Sequence, residues 1–199
     1  MTGNGSRALH TPGPFRRRRR HIGSFGTAVL AVSLLVPQSG YAQDPKPTEY
    51  EVEAAYLSNF GRFVDWQLKP APGEAFNVCV LGPDPFGTLL DNALKGEQIG
   101  NTQLVARRLS GAEEISSCRI LFISSMRENQ LPAILAALGT SNVLTASDMP
   151  DFTRRGGMIQ FVIEGKRVRF EINLNAAQRA GLSLSSQLLK LAVAVRRGP

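Results

Sequence analysis

Short apolar runs that read as β-strands alternate along this chain with stretches that read as helices, and this alternation restricts the possible folds more than any other feature. Residues 77–81, 103–109, 119–123 and 142–147 are the strand-like runs. Residues 48–66 precede them with helical spacing, and 85–96 and 128–138 fall between them. A strand that returns through a helical crossover lies parallel to its predecessor, because the crossover carries the chain back to the same end of the sheet. The expected fold is a single α/β domain with a largely parallel sheet covered by helices.

Local signals sharpen the element ends. Thr48 with Glu51 three residues on forms a capping box, and Glu49, Glu51 and Glu53 suit the positive end of a helix dipole. Val52, Tyr56, Phe60, Phe63 and Val64 recur at helical spacing, which carries the predicted helix on to Trp66. Asp84 is placed to cap a helix that starts at Pro85 and ends at Gly96. Farther on, 158–163 and 166–173 are strand-like and flank Glu164-Gly165, a hairpin signal. In the second strand Val168, Phe170 and Ile172 face one way and Arg167, Arg169 and Glu171 the other. A final packing helix is predicted over 184–195, with Leu184, Leu188, Leu191, Ala192 and Val195 on one stripe.

The first 42 residues are built differently. Arg16 to Arg20 form a basic run, an uncharged apolar stretch extends from Ile22 to Val36, and Gly40-Tyr41-Ala42 places small residues where a signal peptidase cuts. The apolar stretch is shorter than the roughly 20 residues that span a bilayer. Residues 1–42 are therefore expected to be a cleavable export signal, 43–47 a linker, and 48–199 the working domain, located in the periplasm. Six of the 23 basic residues lie in the signal and none of the 16 acidic ones do, which leaves 17 against 16. The sequence pI near 10.0 belongs to the signal, so it does not argue for a nucleic-acid partner.

The signal also takes both histidines, His10 and His21. No Ser-His or Cys-His nucleophile and no histidine zinc ligand can be assembled from the remainder. Phosphate-loop and dinucleotide glycine motifs are missing, and Glu113-Glu114, adjacent on a helix, would not face each other. No catalytic residue, metal site or cofactor is expected. Cys79 and Cys118 are an even pair in a chain bound for an oxidising compartment, which points to a disulfide worth about 4 kcal/mol for a loop near 40 residues. A structural and a redox role are both open to it.

Six segments together resemble the YfiR-like periplasmic proteins: EAAYLSNFGRFVDW from Glu53, FNVCVLGPDPFG from Phe76, CRILFIS from Cys118, LTASD from Leu144, GGMIQF from Gly156, and VRFEINLNAAQRAGLSLSSQLLKLA from Val168. They occur in family order. The resemblance implies a non-enzymatic repressor that binds the periplasmic sensor region of an inner-membrane diguanylate cyclase, so lowering cyclic di-GMP and biofilm formation. A histidine kinase as partner, and a homodimer, are left open. Some members carry a second cysteine pair between the LTASD and GGM motifs, and residues 148–157 here contain no cysteine. Redox control that rests on that pair is not expected.

For a partner or ligand the candidates are Trp66, Arg169 and Glu171. The competing reading is a small-molecule-binding module, with Gly82 to Gly87 lining a crevice at the carboxyl ends of the strands.

Overall fold

A computed structural model describes residues 47–66 and 74–197. The expected signal and all but the last residue of the linker lie outside the described residues. The chain opens with helix α1 (Glu49–Phe60), followed by a 3-10 turn and strand β1 (Val64–Trp66). Next come β2 (Phe76–Leu81), α2 (Thr88–Leu94), β3 (Gln98–Ile99), β4 (Thr102–Leu109), β5 (Ile120–Ile123) and α3 (Leu131–Leu138). The C-terminal half supplies β6 (Leu144–Ser147), β7 (Ile159–Glu164), β8 (Arg167–Asn173), α4 (Leu174–Arg179), β9 (Leu182–Leu184), α5 (Ser186–Leu191) and β10 (Ala194–Arg196).

Eight strands form one sheet in the order β10-β8-β7-β6-β5-β2-β4-β3. Its centre, β4, β2, β5, β6 and β7, is parallel throughout. The α/β expectation holds because β2, β5 and β6 are buried on both sides almost throughout, which only a sheet covered on both faces allows. On one face α1 and α2 pack over Val78, Val80, Ile120, Phe122 and Phe170. On the other, α3 packs over Cys79, Leu121 and Ile123, with Met149 and Phe152 beside it.

The hairpin is present, with its turn one residue later than expected: Glu164 pairs with Arg167, and Gly165 and Lys166 both take positive φ. Two positive φ values in a two-residue loop match the right-handed twist of the flanking strands.

Three helix predictions need correction. The first helix stops at Phe60, because Val64 and Trp66 alternate with exposed Asp65 in a period of two, and these residues pair antiparallel with β9. Gly61 leaves room for Ile99 against the helix end, since a Cβ there would meet Ile99 Cδ1 at 2.1 Å. The second helix starts at Thr88 rather than Pro85; Asp84 instead accepts a hydrogen bond from the Phe86 amide at 2.8 Å, a local turn in place of a cap. The predicted final helix splits into β9, α5 and β10. Ser185 caps α5 by accepting from the Leu188 amide, and the β-branched tail then adds a parallel edge strand to β8. The helix predicted over 128–138 has its first turns as a 3-10 segment and is α-helical from Leu131, ending as expected at Gly139.

Candidate functional site

Arg169 and Glu171 lie on the face of β8 turned away from the aromatic core, as the alternation in the sequence requires. Glu171 accepts from Arg196 Nη2 at 3.0 Å and from the Thr153 hydroxyl at 3.3 Å, and its cross-strand neighbour is Gln160. Thr153 is placed there by Asn173, whose side chain donates to the Thr153 carbonyl at 2.8 Å while its Oδ1 caps α4. Arg169 donates to the Leu191 carbonyl at 3.2 Å, at the end of α5. The structure therefore brings Arg169 and Glu171 together on one polar surface, adds Arg196 and Gln160 to it, and sets buried Thr153 beneath it. Arg196 escaped the sequence reading because 194–195 were assigned to a helix tail, which left Arg196 just past a helix end instead of on a strand beside Glu171.

Leu191 also borders an apolar groove of about 250 Å³ between α1 and α5, walled by Val52, Tyr56, Phe63 and Leu188. Tyr56 stacks on Phe60 at 5.8 Å and meets Phe170 edge-on at 5.2 Å, which fixes the groove floor. Leu191 is half exposed, at 52%. Polar surface and apolar groove thus meet at one residue.

Trp66 has another place. It is 7% exposed, stands edge-on to Phe76 at 5.2 Å, and donates its indole N–H to the Asn142 carbonyl at 3.0 Å. Its body belongs to the core and its polar edge is satisfied internally, and the structure does not bring it together with Arg169 and Glu171. Cys79 and Cys118 form a disulfide with Cα atoms 5.9 Å apart, joining β2 to the residue that leads into β5. The bond is buried, with Cys79 fully enclosed. That position favours the structural reading over a reactive one.

The loop from Gly82 to Gly87 does sit at the carboxyl end of β2, but its one charged side chain, Asp84, and its Gly87 carbonyl are already occupied. Arg108 donates to Asp84 at 2.9 Å, to the Gly87 carbonyl at 2.6 Å, and through both terminal nitrogens to Asp91. The hydrogen bonds to Arg108 hold the Asp91 carboxyl below its ordinary range. This arginine ties the loop to α2 and β4.

A different group at the same end of the sheet was missed. The buried stripe of α1 comprises Glu53, Ala54, Leu57, Ser58 and Phe60, rotated from the predicted Val52–Tyr56 line. Glu53 is 4% exposed, and burial, then the negative charges of Asp148 and Glu49, push its carboxyl up to about 8. The signal was available: Glu53, Leu57 and Phe60 are spaced four and three apart, so any face that buries both apolar residues also takes the acid.

Comparison with known proteins gives a family match over most of the domain: the model of a family described as YfiR/HmsC-like covers residues 50–193. Among solved structures, the chain is similar to the ABC domain in complex with L-Trp from Streptococcus pneumonia, at 12% identity and a TM-score of 0.50, covering 72% of this chain and 60% of that one. It is also similar to a conserved domain protein from Vibrio cholerae, at 10% identity and a TM-score of 0.49, covering 74% and 60%. This chain thus spans 60% of the length of each, and at such identities the likeness with the first concerns the fold alone.

Proposed function

This chain belongs to the YfiR/HmsC-like family, and from that membership we infer that it is a periplasmic regulator without catalytic activity, exported by a signal in residues 1–42, that restrains a membrane-bound diguanylate cyclase. It binds the periplasmic sensor region of the cyclase and holds the cytoplasmic output domain inactive, so that cyclic di-GMP falls and biofilm formation with it. The observation that carries this reading is the family match across 50–193, nearly the whole described domain.

The surface where Arg169 and Glu171 meet the Leu191 groove is the proposed contact. An apolar centre with a polar margin is the usual anatomy of such an interface. Strand pairing of β8 with β7 on one side and β10 on the other gives that surface a rigid backing. Rigidity matters because a protein partner is held by precise placement of a few side chains, not by area alone.

Two measurements test the reading. Deleting the gene in a strain that keeps its neighbouring cyclase raises cyclic di-GMP; an unchanged level there contradicts the proposed role. In a pull-down with the periplasmic region of that cyclase, Arg169→Glu weakens capture about tenfold or more, as expected for reversal of an interfacial charge. Equal capture by the variant removes Arg169 from the interface.

A further inference from the structure

Glu53 borders a pocket of about 380 Å³ together with Tyr50, Asp148, Gln160 and Phe161. Its Oε2 is buried and has no hydrogen-bond partner. Asp148, which follows the carboxyl end of β6, has its Oδ1 in the same condition, while its Oδ2 takes only a long hydrogen bond from the Tyr50 hydroxyl at 3.5 Å. Glu49 is the third carboxylate of the lining, which contains no lysine, arginine or histidine. The remaining wall, from Phe161 through Val162 to Ile163, is largely apolar.

The site therefore offers two enclosed acceptors in the wall of one pocket, negative charge without a countercharge in the lining, and an apolar flank. A buried carboxylate oxygen without a donor is costly, and it is relieved either by a proton or by a cation. The Glu53 carboxyl, raised by burial and then by the charges of Asp148 and Glu49, holds a proton when nothing else serves, with the Tyr50 phenol also facing the site. Calcium or magnesium is a poor match, because each takes six or more oxygens and, among the described residues, no three metal-ligating side chains, these three carboxylates included, converge closely enough to hold an ion. An ammonium head needs fewer acceptors and brings its own N–H donors. Its methylene stem would lie along the apolar flank, with the Tyr50 ring beside the charge.

We propose that this pocket binds an alkylammonium group, delivered by a small amine or by a lysine side chain of a docking protein, with Glu53 and Asp148 as its paired acceptors. The position suits the role, since open α/β sheets take ligands beyond the carboxyl ends of their strands. Binding near neutral pH releases one proton: the neutral Glu53 carboxyl gives up its hydrogen to solvent, and the carboxylate that remains pairs with the ammonium, which keeps its own charge. The site is independent of the identity of any cyclase partner, so it stands or falls separately from the proposed docking.

Isothermal titration of the purified protein at pH 7 with n-butylammonium, in two buffers of different ionisation heat, tests the proposal. Saturable binding with release of close to one proton is expected, weakened at least tenfold in both Glu53→Gln and Asp148→Asn, and absent with n-butanol. A thermal melt run beside each variant shows that it is folded. Equal binding by folded Glu53→Gln and the unaltered protein, or equal binding of butanol and butylammonium, or no saturable binding at all, overturns it. Nα-acetyl-lysine N-methylamide separates the sources: tenfold tighter binding than butylammonium assigns a lysine side chain, and parity assigns a free amine.

Discussion

At the scale of single residues, Glu53 makes the clearest prediction. Its carboxyl is raised from 4.5 to about 8 in the folded protein, first by burial and then by Asp148 and Glu49. The folded state thus retains a proton that the unfolded state gives up between those two values. Stability from this group is complete below about pH 4.5, declines by up to about 1.4 kcal/mol per pH unit as pH rises toward 8, and levels off above it. Glu53→Gln, which keeps the shape and removes the titration, is expected to flatten this slope. Urea unfolding between pH 5 and pH 9 checks it, and a slope equal to that of the unaltered protein would count against a buried, proton-holding Glu53. The window avoids Asp91, whose lowered carboxyl acts in the opposite sense, with stability lost as pH falls to its folded value. This carboxylate shows what sequence pattern alone does badly: a polar residue on an apolar stripe looks like a surface residue until the stripe is fixed by packing.

Among the elements, the outcome divides according to whether neighbours in sequence or neighbours in space decide them. The central strands were legible because a helix-covered parallel sheet leaves continuous apolar runs, and Phe76–Leu81 and Ile120–Ile123 are such runs. The capping box at Thr48 and the stop at Gly139 were legible for the same reason, being settled within one helical turn. Val64–Trp66 and Leu182–Leu184 were not. Each is only three residues long and becomes a strand through the other, from the far end of the chain. Ala194–Arg196 likewise is a strand only because β8 offers it an open edge, and with it went the chance to foresee that Arg196 partners Glu171. The disulfide belongs at this scale too, since it fastens β2 to the entry of β5 across 39 residues. A Cys79→Ala, Cys118→Ala double variant should lose about 4 kcal/mol of stability by the loop-entropy relation. Urea unfolding of the oxidised and double-variant proteins measures this, and a loss below about 1 kcal/mol would mean that the bridge constrains little of the unfolded chain.

For the whole molecule, the clearest test is removal of the C-terminal segment. A chain ending at residue 181 lacks β9, α5 and β10, and so uncovers Val64 and Trp66 on β1, the edge of β8, and the place of buried Leu188 in the aromatic core. That core spans α1, the sheet and α5 without a division. The truncated chain is expected to lose cooperative unfolding altogether, not merely to shift its midpoint. Near-ultraviolet circular dichroism during a urea titration distinguishes the two outcomes, and a sharp native-like transition would show the C-terminal segment to be an accessory.

The pairing of β1 with β9 also sets an order of events. Val64 meets Leu184 about 120 residues later in the chain, and Ser185 donates its amide to Phe63 beside them. When the chain emerges amino end first, β1 must wait without its partner strand until residues 182–184 have arrived. Completion is thereby deferred until that segment is delivered, and the interval before it is when this protein is most exposed to proteases and to chaperones.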